Sequence, residues 1–115
     1  MSEDRELLEL AAKAAGLRGT WVDDGLNTRT DARPRIWNPL TDDGDALRLA
    51  IKLLIHIGHN HPADNDLWVD AGAANFSGYT EPVDDDWRRD AATRRVIVMA
   101  AAELARTAPT AKETP

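Results

Sequence analysis

The sequence predicts an α+β domain: a small antiparallel sheet of two to four strands flanked by three helices, in a helix–sheet–helix arrangement. Apolar residues recur at helical spacing in three separated stretches. Between the second and third stretches the apolar period falls from 3.6 to two, which is the spacing of a half-buried strand. The segment joining the two period-two runs, "HPADN", is rich in turn formers, so the runs read as a hairpin with a long loop.

Taken in order, the first helix lies in "EDRELLELAAKAAG" (Glu3–Gly16), with Leu7, Leu10, Ala11 and Ala14 on one face. Glu3, Asp4 and Glu6 fall in its first turn, where the helix dipole favours negative charge, and Gly16 is a left-handed stop. The stretch from Arg18 to Arg35 is mostly polar and reads as an irregular arm, with Arg35 to Trp37 as a short edge strand. "NPLTDDGDALRLAIKLL" announces the second helix. Asn38–Pro39 holds the chain extended, and Thr41 or Asp42 offers an N-cap oxygen. Ala46, Leu49, Ala50 and Leu53 then form an apolar stripe, widened by Leu47 and Leu54. Residues 53–59 and 66–71 are expected to pair. "ANFSGYTEPV" adds a third strand, weakened by Gly78 and Pro82. The third helix runs from about Asp86 to Arg106, burying Ala92, Val96, Met99, Ala100 and Ala101 and leaving Arg88, Arg95 and Arg106 to solvent. One domain over 1–107 with a polar tail over 108–115 accounts for the whole chain.

Composition bounds the function. With 43% apolar and 30% charged residues, the chain has the make-up of an ordinary water-soluble domain. It has no cysteine, which excludes disulfides and thiolate–zinc sites. No apolar run approaches the roughly 20 residues that span a bilayer, and "MSEDRELLEL" is the opposite of a signal peptide, so a cytoplasmic location is expected. Fourteen Lys and Arg against 20 Asp and Glu give a net charge of −6, which argues against binding a phosphate backbone.

"WNPLTDDGDALRLAIKL" (Trp37–Leu53), the strands after it and "DAATRRVIVMAAAEL" (Asp90–Leu104) together resemble the phage ABA-sandwich domain family, small bacteriophage and prophage proteins related to the NinX-like group. The resemblance implies the fold and a phage or prophage origin, and with it a bacterial host cytoplasm. It brings no catalytic residues and no cofactor. The loop holding His59, His61 and Pro62 is longer than the family pattern, so a role for those histidines would not be a family role.

That loop begins in "IHIGHNHPAD", which contains every histidine of the chain: His56, His59 and His61. Metal ligation needs imidazoles converging on one point. On a strand, residues 56 and 59 fall on opposite faces. His59 and His61 could share a side but would still need a carboxylate such as Asp64 or Asp66. No metal site is expected, and the alternative of a metal-dependent hydrolase rests on this loop alone. The acidic runs Asp42, Asp43, Asp45 and Asp84, Asp85, Asp86 complement the starts of two helices, and "DDGD" lacks the ligand pattern of an EF-hand. No Gly-rich phosphate loop and no nucleophile–base arrangement is recognisable, so the chain reads as a non-enzyme.

Four tryptophans accompany one Phe and one Tyr. Trp37 and Trp68 suit the core between Ala-rich helices. Trp21 and Trp87 stand among acidic residues, and with Arg29 and Arg33 they are the candidate partner-binding set, since tryptophan and arginine are enriched at binding hot spots. The function expected is protein binding, with a host or phage protein as partner. Nucleic-acid binding through Arg88, Arg89, Arg94 and Arg95 is a further alternative.

Overall fold

The structure, a computed structural model, describes residues 3–29, 35–59, 68–73, 76–83 and 89–107. The described residues form three helices, α1 (Glu3–Ala15), α2 (Asp43–Leu53) and α3 (Arg89–Thr107), and six strands. The strands make two antiparallel three-stranded sheets. The first joins β1 (Thr20–Val22), β2 (Gly25–Asn27) and β3 (Ile36–Trp37); the second joins β4 (His56–His59), β5 (Trp68–Ala73) and β6 (Phe76–Pro82). The α+β class is as expected, but its sheet is divided in two.

The first sheet corrects the reading of Arg18 to Arg35 as an irregular arm. "TWV" and "GLN" pair as a hairpin across Asp23–Asp24, with Trp21 opposite Leu26, and Leu26 is in turn opposite Trp37. Gly25 makes the reversal possible. It sits at φ 143°, where a side chain is strained, and a Cβ there would run into the Trp37 carbonyl. Arg5 of α1 fastens the hairpin by donating to the Val22 carbonyl at 2.9 Å.

The second sheet follows the expected pairing with a shorter first strand than 53–59, since Leu53 still belongs to α2 and Leu54 is its left-handed cap. His56 to His59 run opposite Gly72 to Val69, and Trp68 to Ala73 pair with β6. Gly78, at φ 101°, lies near the register shift between Ala71 and Ala73, so it bends β6 without ending it. Pro82 is tolerated because β6 is an edge strand.

α3 touches α1, α2, β5 and β6 and is the centre of the core. Its Val96, Val98, Ala100, Ala101 and Ala102 are completely enclosed, and the small alanines let α1 approach through Ala11, Ala12 and Ala15. The buried face of α1 also includes Leu7 and Leu8, while Leu10 and Ala14, expected in the core, are only half-buried. Arg95, expected in solvent, is half-buried instead. It reaches Asp4 at 3.0 Å, Glu3 at 3.4 Å and Glu81 at 3.9 Å, joining α3 to α1 and β6. Arg94 does the same towards α2, with Asp43 at 2.7 Å and the Leu40 carbonyl at 2.9 Å. No helix among the described residues is long and apolar enough to cross a membrane.

Candidate functional site

The surface around α2 is built by the segment "NPLTDDGD", whose three acidic residues are all engaged, Asp42 and Asp45 both with Arg48. Asp42 is the N-cap, extended at φ −123° and ψ 120°, and accepts the Asp45 N–H at 2.8 Å. Asp43 holds Arg94. Asp45 is only 4% exposed; its carboxylate accepts the Asn38 N–H at 2.9 Å and an Arg48 N–H at 2.8 Å. Asn38 turns the other way, donating its side-chain amide to the Asp24 carbonyl at 2.8 Å and accepting the Leu40 N–H at 3.0 Å. The joint clamps the β1–β2 turn to the start of α2. Among the described residues no buried side-chain polar atom lacks a partner, so the buried part of this cluster is satisfied structure.

The outer face of α2 is different. Ala46, Leu49 and Ala50 are buried, but Leu47 is 56% exposed, Ile51 64% and Leu54 82%. Spaced four and three residues apart, these three form one ridge along the helix. Leu47 and Leu54, expected to widen the core stripe, therefore face outward, because α3 and α1 pack against the opposite side of α2. The ridge ends in an unusual conformation. α1 and α2 close their last turns with the same pair of bonds, Leu17 N–H to the Ala12 carbonyl and Ile55 N–H to the Ala50 carbonyl, both 2.9 Å. Such a closure needs a left-handed residue. α1 supplies Gly16 at φ 72°; α2 supplies Leu54 at φ 55°, the one described residue other than glycine with positive φ.

On the first sheet, Trp21, Leu26 and Trp37 are successive cross-strand partners and so share one face. Trp37 is buried at 7% exposure, as expected of a core tryptophan. Trp21 is half-buried against the core, with the Arg5 guanidinium 4.9 Å from its ring centroid. Arg29 is exposed just beyond β2. Arg33 and Trp87, the other two candidate contacts, lie outside the described residues, as do His61, Asp64, Asp66, Arg88 and the run Asp84 to Asp86.

β4 carries His56 and His59, both exposed and on opposite faces by their odd separation. His59 Nδ1 is 3.2 Å from Arg89, whose guanidinium also donates to the Trp68 carbonyl at 3.0 Å. Among the described residues no group of three His, Asp or Glu is placed to hold a metal ion. A shallow depression of about 350 Å³ lies beside His59, floored by Ala46, Ile57 and Ile97. Of its two rim cations, Arg89 and Arg94, Arg94 is bound to Asp43 and Asp90. Hydrogen bonding to Asp43 raises the pKa of Arg94, and bonding to Asp4 raises that of Arg95, each against a lowering by burial. Guanidinium groups committed in this way have little left for phosphate, which weakens the nucleic-acid alternative at these two positions.

The chain matches no protein-family model, no curated protein and no solved structure.

Proposed function

We propose that this protein works by binding another protein, without catalysing a reaction, as a phage or prophage accessory factor in a bacterial cytoplasm. The phage assignment rests on the resemblance of the Trp37–Leu53 and Asp90–Leu104 segments. The binding assignment rests on one observation: the exposed ridge Leu47, Ile51 and Leu54, which ends on a leucine in left-handed backbone. A non-glycine residue in that conformation costs about 1–2 kcal/mol, and glycine relieves it. The left-handed backbone serves the closure of α2, but the leucine side chain, 82% exposed, adds no packing to the fold that glycine would lack. Backbone strain retained at an exposed apolar residue supports a role for the side chain in contact with something else.

Two variants test this reading through affinity capture from bacterial lysate. Leu54→Gly is expected to raise stability by about 1 kcal/mol, or roughly 4–8 °C in Tm, and to weaken partner capture. Leu47→Glu with Ile51→Glu should abolish capture and leave Tm within a few degrees of wild type, because neither side chain is part of the core. Capture that survives both variants would sink the assignment. So would a wild-type dimer that these variants convert to a monomer, since the ridge would then be a self-interface.

A further inference from the structure

The face of the first sheet bearing Trp21, Leu26 and Trp37 forms one wall of a groove whose other wall is the ends of α1 and α2. Two hollows of about 480 Å³ and 190 Å³ lie along it, and Leu17 lines both. Five cations line them, Lys13 and Arg18 in the larger and Arg35, Arg48 and Lys52 in the smaller, against two carboxylates, Glu9 and Asp45. In a chain of net charge −6, this is a local reversal of sign. Both carboxylates are already engaged: Glu9 is 3.9 Å from Arg5, and Asp45 holds Arg48 and the Asn38 N–H. Lys13, Arg18, Arg35 and Lys52 make no ion pair among the described residues. Lys13 and Lys52 stand in the last turns of α1 and α2, where a cation offsets the carbonyl end of a helix. Arg18 and Arg35 belong to neither helix and have no such role.

We propose that this groove binds an acidic peptide segment whose apolar side chains alternate with carboxylates, as a second surface independent of the ridge. The smaller hollow lies below the roughly 300–1,000 Å³ of small-ligand pockets and suits a single side chain resting on Leu17, Trp37 and Leu49. The guanidinium groups of Arg35 in this hollow and Arg18 in the larger one are forks that match carboxylates. A nucleic acid would need open aromatic faces for its bases. Trp37 is buried, and Trp21 already has Arg5 over its ring.

The test is fluorescence anisotropy with three labelled probes: a peptide of alternating leucine and Asp or Glu, its counterpart with lysine in place of the acids, and oligothymidine. The acidic peptide should bind wild type, and rising salt should weaken it. Arg35→Glu with Lys52→Glu should weaken it by at least about tenfold, the loss of roughly one charge-assisted contact. Lys13→Glu with Arg18→Glu provides the same reading from the larger hollow if the first pair fails to fold. The ridge variant Leu47→Glu with Ile51→Glu should bind the probe as wild type does. Equal binding of the lysine peptide, tighter binding of oligothymidine, no binding of the acidic peptide, or indifference to the charge reversals would each overturn the proposal. Any of those results beside intact ridge-dependent capture removes the groove alone. Loss of capture dependence with intact probe binding removes the ridge reading alone.

Discussion

The half of the molecule built on α3 and the half built on α2 treat the same kinds of residue in opposite ways. Around α3 the described arginines close the structure. Arg94 bridges to Asp43 and Asp90, Arg95 to Asp4, Glu3 and Glu81, and Arg106 lies 3.5 Å from Glu103. Around the first sheet and the outer face of α2, by contrast, Lys13, Arg18, Arg35 and Lys52 make no ion pair among the described residues, and Leu47, Ile51 and Leu54 stand in solvent. Exposed ion pairs contribute little to stability, so the contrast is not chiefly one of strength. What differs is which groups are left available. Charges and apolar side chains matched within the fold can do nothing further, while unmatched ones can meet a partner.

The largest expected effect lies where the α2 half is nevertheless anchored in the core. Trp37→Ala removes a buried ring and should cost about 3–5 kcal/mol, enough to unfold a domain of this size. Trp21→Ala removes a half-buried ring of the same row and should cost about half as much. Thermal unfolding monitored by circular dichroism separates the two. Equal costs would mean that the first sheet is as deeply built into the core as α3, and the contrast between the halves would fail.

Asp45→Ala comes next. It strips the acceptor from the Asn38 N–H and frees Arg48, at a cost of about 1–3 kcal/mol for the buried group left unpaired. Because the joint also holds the β1–β2 turn through Asn38 and Asp24, amide hydrogen exchange should quicken in residues 20–27 and not in α3. Uniform quickening across both halves would show that the joint serves the whole fold and not the α2 half.

How far the sequence could be read follows the same division. α1, α2, α3 and the β4–β5 pairing are long enough to carry a period, and Gly16 ends α1 where a glycine would be expected to. The first sheet carries no such signal. Its strands are two or three residues long, and its row of Trp21, Leu26 and Trp37 is gathered from three separate segments. Of its three strands only β3 is expected from the sequence, as the edge strand within Arg35 to Trp37; the hairpin of β1 and β2 is not. The ridge was misread for a physical reason. Leu47 and Leu54 extend an apolar stripe that is continuous in sequence, yet the helix has more apolar circumference than its neighbours can cover. The basic groove was beyond sequence reading altogether, since its cations come from α1, α2 and the segments around the first sheet, and only folding brings them together. The alternation around Ile55 and Ile57, by contrast, does place His56 and His59 on a strand; His61 lies outside the described residues.

The smallest effect belongs to the closed half and can be read spectroscopically. Tyr79, the one tyrosine of the chain, donates its hydroxyl to Glu103 Oε1 at 2.7 Å and so ties β6 to α3. That hydrogen bond raises the phenol pKa above its ordinary value, helped by partial burial and by repulsion between the phenolate and Glu103, with Arg106 pulling the other way. A group whose pKa is raised on folding favours the folded state while protonated. Its contribution is therefore complete below about pH 10 and is lost as the pH rises through the folded-state value. Ultraviolet titration of tyrosinate should thus show a single midpoint above about 10. Glu103→Gln should bring it down towards the ordinary value, and Arg106→Ala should move it further up. Neither change should shift Tm by much, since the carboxylate and the guanidinium remain partly in water. A wild-type midpoint at the ordinary value would show that this pair does not form in solution. The closed half would then have lost one of the contacts that distinguish it from the open one.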